Sequence, residues 1–265
     1  MRVRIVKFSL PDGIRWGILE DDSIRAVQGQ VYSGLDVTDE TFGLDEVKLL
    51  APAHECCGKV IALGQNYSRH LDELNARGWG LRESDEPVVF MVARSALCGH
   101  EDEIRIARPE DSTHYEAELV IVIGKRAVDV PVESAAGYIL GYTCGNDVSD
   151  RVLQQKDGQW TRSKSFSTYK PMGPWIETRR PNDDAQIVLR MNGELKQKAL
   201  LSDMVFGPEK IVSFLSKNMG LDPGDLIFTG TPAGVGPIAP GDVVEVEIDG
   251  IGTLRNTVAL GGCNR

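Results

Sequence analysis

The stretch Glu116-Ala-Glu118-Leu-Val-Ile-Val-Ile-Gly124 leaves the chain few options. Side chains alternate along a strand, so Leu119, Ile121 and Ile123 take one face while Val120 and Val122 take the other. A strand apolar on both faces belongs in the middle of a fold, covered from both sides. Glu116 and Glu118 continue the valine face, with Cα atoms roughly 6.5 to 7 Å apart, so their carboxylates can converge on one ion. Two like charges buried side by side are very costly without compensation. A divalent cation meets that need, and Asp147, in Gly-Asn-Asp-Val-Ser-Asp-Arg, offers a third carboxylate. All-oxygen ligation favours Mg²⁺ or Mn²⁺, with Ca²⁺ as a substitute, over Zn²⁺. The bland alternative is a pair of glutamates at the solvated mouth of a strand, matched by arginines. For an isolated Glu-x-Glu that alternative is the commoner one.

The 265 residues suffice for one large core with a small appendage, and a split at 1–57 and 58–265 fits the pattern of strands and breaks. A formal net charge of -10 without a basic stripe argues against nucleic acid or an anionic membrane as partner. A small anionic substrate remains compatible, because a bound cation sets the local field. The start, Met-Arg-Val-Arg-Ile-Val-Lys, has no continuous apolar segment of signal length, and apolar runs elsewhere are strand-sized, so the expected compartment is the cytoplasm. Cys56, Cys57, Cys98, Cys144 and Cys263 form no Cys-x-x-Cys pair, which points to free thiols rather than a disulfide framework or a thiolate zinc site.

Residues 3–9, 15–20 and 23–27 read as short strands separated by Pro11-Asp12-Gly13 and Asp21-Asp22, followed by a less patterned stretch over 30–58. Strand 59–63 then leads through Gly64-Gln65 into a helix over 67–77, stopped by Gly78. Strands dominate the rest: 88–92, 116–123, 138–143, 175–178, and a hairpin of 186–191 with 195–199 across Asn192-Gly193. A helix over 208–219 starts at Pro208 and ends at Gly220. Two Pro-Gly-Asp turns open strands 226–228 and 243–248, and Asp249-Gly250 turns into the last strand, 253–258. The expected fold class is mainly β with short helices, α+β, as a mixed β-sandwich roll.

Asn66, His70 and Glu73 fall at i, i+4 and i+7, on one face of the helix over 67–77. A glutamate one turn from a histidine can fix the imidazole tautomer and raise its basicity. An isolated His-x-x-Glu is more often a solvated surface pair; here the helix follows a strand end, is followed by the glycine-rich, charged segment 78–86, and could fold over a site as a lid. Asp147, Arg151 and Gln154 share the same spacing and would project together from a helical turn. Arg151 could then clamp a substrate carboxylate and Gln154 donate to a carbonyl, against the plainer reading of a salt bridge to Asp147 or Asp150. Lys164, flanked by small polar residues, suits neutralisation of developing negative charge, although most lysines simply lie at the surface. Thr229-Gly-Thr231-Pro-Ala-Gly-Val-Gly236 lacks the lysine and spacing of a phosphate loop, and reads as a tight turn presenting Thr231 to a small anion.

Taken together, Gly64-Gln-Asn-Tyr-Ser-Arg-His70-Leu-Asp-Glu73, Tyr115-Glu-Ala-Glu-Leu-Val-Ile-Val-Ile-Gly-Lys125, Gly145-Asn-Asp-Val-Ser-Asp-Arg151, Gln159-Trp-Thr-Arg-Ser-Lys-Ser-Phe166, Pro171-Met-Gly-Pro-Trp175, Thr229 to Gly236 and Gly250-Ile-Gly-Thr-Leu-Arg-Asn256 resemble the fumarylacetoacetate hydrolase family, in collinear order over about residues 58–258. The first fifty-odd residues are similar to the small N-terminal domain of members that are 2-hydroxyhepta-2,4-diene-1,7-dioate isomerases. The resemblance implies the sandwich-roll fold, a homodimer, and Mg²⁺ or Mn²⁺ held by Glu116, Glu118 and Asp147. It also implies a lid dyad of His70 and Glu73, as in acylpyruvase and oxaloacetate decarboxylase members, and substrate contacts at Lys164, Arg151, Gln154 and Thr231. Two positions depart from the family pattern: Phe90-Met-Val92 replaces a common Phe-x-Lys, and Asp150 stands where a small residue is usual. The expected activity is that of a divalent-metal enzyme on a 2-oxo or 2,4-dioxo acid, proceeding through a metal-stabilised enolate. Hydrolysis of an acylpyruvate carbon-carbon bond comes first, ahead of isomerisation and decarboxylation. A non-catalytic metal-stabilised binding scaffold is the rival from another class, and it would need only the three carboxylates.

Overall fold

The computed structural model describes residues 2–29, 31–32, 34–54, 58–76, 78 and 84–261, apart from the side chain of Leu74. Cys56, Cys57, Cys263 and residues 77 and 79–83 of the expected mobile segment 66–86 lie outside the described residues. Among the described residues no helix is long and apolar enough to cross a membrane.

The two-faced apolar strand is β7, Ala117–Ile123, and it is buried along its whole length. Around it runs a 12-stranded sheet built on β1 (Arg4–Leu10), β2 (Gly13–Glu20), β3 (Ser23–Gln28), β4 (Asp36–Gly43), β5 (Val60–Gly64), β6 (Val88–Val92), β8 (Ile139–Asn146), β9 (Lys170–Glu177) and β10 (Leu226–Phe228). The order is β4-β3-β2-β1-β9-β8-β7-β10-β5-β6. Along this path every pairing is antiparallel except β10 with β5. The N-terminal strands are therefore an extension of the main sheet, joined where Arg4 and Ile5 pair with Glu177 and Ile176.

Each face of β7 feeds a different apolar cluster, as the alternation requires. Leu119, Ile121 and Ile123 pack with Ile187, Leu189, Val244, Val246 and Leu254 of a second, five-stranded sheet, and with Ile211, Val212 and Leu215 of a helix over Pro208–Asn218. Val120 and Val122 pack with Val60, Ala62, Met172, Ile176 and Phe228. The second sheet contains the expected hairpin, with Met191 opposite Glu194 and positive φ at Asn192 and Gly193, as a two-residue primed turn demands.

Several elements differ from expectation, and two of these differences have a plain physical reason. Strand β4 falls in the stretch that shows no pattern; Asp36-Val-Thr-Asp-Glu-Thr-Phe-Gly is polar because it is the sheet's outer edge, exposed along much of its length. Asp147 and Arg151 do not share a helix. The helix α2 spans Arg151–Asp157, and Asp150 is its N-cap, accepting the Leu153 N–H at 3.0 Å. Asp150 is thus fully buried as a structural acid, beside Arg108 at 3.5 Å. Burial raises its pKa, partly offset by the Leu153 N–H.

Candidate metal and catalytic centre

At the head of β7 the carboxylates of Glu116, Glu118 and Asp147 lie within 4.8 Å of one another, all buried. The backbone fixes this convergence. The Asp147 N–H donates to the Glu116 carbonyl at 2.8 Å, and the Asn146 side chain accepts the Glu116 N–H at 2.9 Å. Glu118 sits opposite Gly145 in the β7–β8 pair, where a Cβ would meet Val120 and Phe228, so the strands close tightly over the acids.

Basic side chains answer much of this charge, in part as the alternative of carboxylates matched by arginine foresees, although the acids are buried rather than solvated. Lys164 Nζ bridges Glu116 at 2.8 Å and Asp147 at 2.6 Å, and Arg151 reaches Glu116 at 2.5 Å. A further lysine, Lys170, is fully buried and ion-paired with Asp147 Oδ1. Burial pushes the Glu116 carboxyl up, but Lys164 and Arg151 outweigh that and hold it well below the usual range. Burial likewise disfavours the Lys164 ammonium, yet Asp147 and Glu116 raise its pKa. For Lys170 burial wins over Asp147 and the pKa is lowered.

Glu118 is the exception. Among the described residues its one hydrogen bond comes from the Gly230 N–H at 2.8 Å, and no basic side chain is ion-paired with it. Burial first, then Asp147, raises its pKa well above the carboxylate norm. A buried acid outside the ion pairs of its neighbours, converging with two further carboxylates, is the observation that fits a divalent ion with oxygen ligands.

His70 and Glu73 face this cluster from α1, Ser68–Ala76. The imidazole is buried and its Nδ1 lies 3.2 Å from Glu73 Oε2. His70 is close enough to Glu116 to act on that carboxylate's charge. Asn66 precedes the helix and does not share its face. It anchors the entry instead, donating to Thr229 and Phe206 carbonyls at 2.7 and 3.0 Å and accepting the Phe206 N–H at 2.8 Å.

The glycine-spaced loop after β10 holds two of the protein's own carboxylates. Gly230 gives its N–H to Glu118, and Gly234 gives its N–H to Glu73 at 3.0 Å. Both glycines have positive φ, +95° and +104°. Thr231 is buried and its hydroxyl accepts from Gln197 Nε2 at 2.9 Å, while Gln197 Oε1 accepts the Ala117 N–H at 2.9 Å. Gln197 therefore ties this loop to the metal strand. Nothing in Leu195-Lys-Gln-Lys-Ala199 marks it beyond a polar residue at an inward hairpin position. Substituting Gly230→Ala would put a Cβ 2.8 Å from that of Asn66 in a left-handed backbone. The expected cost is about 1–3 kcal/mol, read as a lower denaturant midpoint, together with weaker Mn²⁺ binding. An unchanged midpoint and affinity would show that the loop adapts freely.

Arg151 and Gln154 do come together, the guanidinium donating to Gln154 Oε1 at 2.7 Å from the first turn of α2. At the departing Phe90-Met-Val92 segment, Val92 is core and the Phe90 ring lies 5.3 Å from Lys164 Nζ and 5.2 Å from the Trp160 ring.

This fold and acidic centre define a class. Residues 59–259 match the family described as fumarylacetoacetate (FAA) hydrolase C-terminal, and residues 3–52 match Rv2993c-like, N-terminal. The chain belongs to the fumarylacetoacetate hydrolase family. It is 42% identical to Protein Rv2993c of Mycobacterium tuberculosis, covering 98% of this chain and 99% of that one. The solved structure of 5-carboxymethyl-2-hydroxymuconate delta-isomerase from Mycobacterium smegmatis superposes with a TM-score of 0.89 at 38% identity, covering 97% of this chain and 100% of its own. Maleylpyruvate hydrolase of Aquipseudomonas alcaligenes is 37% identical, over 82% of this chain and 77% of that protein.

Proposed function

We propose that the protein is a divalent-metal enzyme that hydrolyses a carbon-carbon bond of a 2,4-dioxo acid of acylpyruvate type. The observation that carries this reading is the His70–Glu73 dyad, fixed by the Gly234 N–H beside the acidic centre. Glu116, Glu118 and Asp147 would hold Mg²⁺ or Mn²⁺, which supplies Lewis acidity for the 2-keto oxygen of such a substrate. Arg151, already aligned by Gln154, is suited to a substrate carboxylate. Glu73 occupies His70 Nδ1 and so favours the tautomer with its proton there, leaving Nε2 to take a proton from water. Lys164 bridges two members of the triad and can steady the negative charge that develops as the water adds.

Isomerisation is the second reading. It is favoured by the end-to-end likeness to a protein named as a delta-isomerase, N-terminal strands included, whereas the likeness to the maleylpyruvate hydrolase covers less of the chain. In that case the dyad moves a proton between carbons and no water is consumed.

One panel separates the readings. The Mg²⁺-loaded enzyme is given acetylpyruvate, fumarylpyruvate, oxaloacetate and a 2-hydroxy-2,4-diene dioate, with pyruvate, carbon dioxide and diene absorbance followed separately. Pyruvate from the acylpyruvates without carbon dioxide is expected. Inert acylpyruvates alongside loss of diene absorbance without cleavage would replace hydrolysis by isomerisation.

A further inference from the structure

Lys170 has no part in the chemistry outlined above, yet it is among the largest fully buried side chains of the protein. It enters from the first residue of β9 and reaches Asp147 Oδ1, while Lys164 takes Oδ2 of the same carboxylate. Its remaining partners are carbonyls: Lys164 at 2.7 Å, Tyr169 at 3.0 Å and Val148 at 3.4 Å. An ammonium has three donors and no acceptor, and here all its neighbours are acceptors. Sealing a lysine away from water is costly, and a side chain that only filled space would do so better as Met or Leu. The two lysines and Arg151 bring three positive groups to Glu116 and Asp147, so the charge of these two acids is answered before any ion arrives.

We infer that Lys170 is a built-in counter-charge of the metal centre: a positioning residue that keeps the carboxylate cluster assembled when no ion is held, and that weakens the ion's hold so that the metal exchanges. The inference rests on the metal assignment proposed above. Its logic is competition at one carboxylate. Without a metal, Lys170 is the interior partner of Asp147; with one, the lysine and the ion are two cations on the same group and repel. Removing a unit charge a few ångströms from a divalent ion strengthens the ion's binding even at an effective dielectric of about 20. In the metal-free protein the same removal leaves Oδ1 of Asp147 buried without a cation among the described residues, Lys164 holding only Oδ2.

The test is Lys170→Met and Lys170→Gln, the latter keeping amide donors for the carbonyls without the charge. Calorimetric titration of metal-free protein with Mn²⁺ should give a dissociation constant at least about tenfold lower than that of the parent. Thermal unfolding should show a large loss in the metal-free protein and a much smaller one when Mn²⁺ is saturating. Release of Mn²⁺ to a chelator should slow accordingly. Equal losses of melting temperature in both forms with unchanged affinity would make Lys170 a structural residue and overturn the inference, as would weaker Mn²⁺ binding. If neither variant folds, adding Asp147→Asn to Lys170→Met should restore folding by removing the carboxylate whose Oδ1 has lost its cation, and failure to do so also overturns it. A parent protein that binds no Mn²⁺ would instead defeat the metal assignment itself.

Discussion

Asp147→Ala, and likewise Glu116→Gln combined with Glu118→Gln, is expected to abolish Mg²⁺ or Mn²⁺ binding and turnover while the fold survives. The three acids offer the converging oxygens that would hold the ion, and Glu116 and Asp147 also pair with Arg151, Lys164 and Lys170. Survival is argued from β7, whose burial continues through Ile123 in two separate apolar clusters that the substitutions do not touch. Glu118 adds a pH signature. Its pKa is raised, so the metal-free folded state holds a proton there that the unfolded chain gives up nearer the ordinary carboxylate range. The contribution of Glu118 to stability is therefore present at low pH and lost as pH rises through the folded value. A metal ion competes with that proton, so affinity should increase with pH over the same interval and binding should release protons. Titrations with Mn²⁺ in two buffers of different ionisation enthalpy measure the release, and unchanged affinity in the mutants would remove the metal assignment.

How much of this was legible in the sequence depends on the range over which each feature is decided. Period-two alternation is local and strong in Leu119 to Ile123, so the central strand and its two-sided burial could be read directly. The Asn192-Gly193 turn is equally local, since a primed two-residue turn needs positive φ. The acidic triad was legible because two of its members sit two residues apart on that strand. What answers its charge was not. Arg151, Lys164 and Lys170 meet the acids across β8, α2 and β9, and no spacing along the chain predicts which lysine turns inward. Asp150 misled for the reverse reason. The spacing from Asp147 to Gln154 suits a helix, but an Asp at 150 whose side chain can take the Leu153 N–H starts the helix there and leaves Asp147 in extended chain. The glycines at 230 and 234 could be recognised as turn formers from sequence, whereas the carboxylates that receive their N–H groups come from two other elements.

His70→Ala is expected to keep Mn²⁺ affinity but lose turnover by roughly 10² or more, the usual contribution of a positioned general base. Glu73→Gln should fall in the same direction for a different reason. Glu73 Oε2 is shared between His70 Nδ1 and the Gly234 N–H, so the carboxylate both sets the imidazole tautomer and holds α1 to the loop that binds Glu118. An amide at 73 can still accept one of those bonds but cannot stabilise an imidazolium with a full charge, so the loss should appear in kcat more than in KM. The comparison also separates an enzyme from a metal-stabilised scaffold, because a scaffold has no use for a buried histidine aligned by a carboxylate. Rates measured on metal-saturated protein, with affinity and melting temperature recorded for each variant, decide the matter. Near parental turnover in both substitutions would reduce α1 to a structural helix and leave the acids and Lys164 to carry whatever chemistry the protein performs.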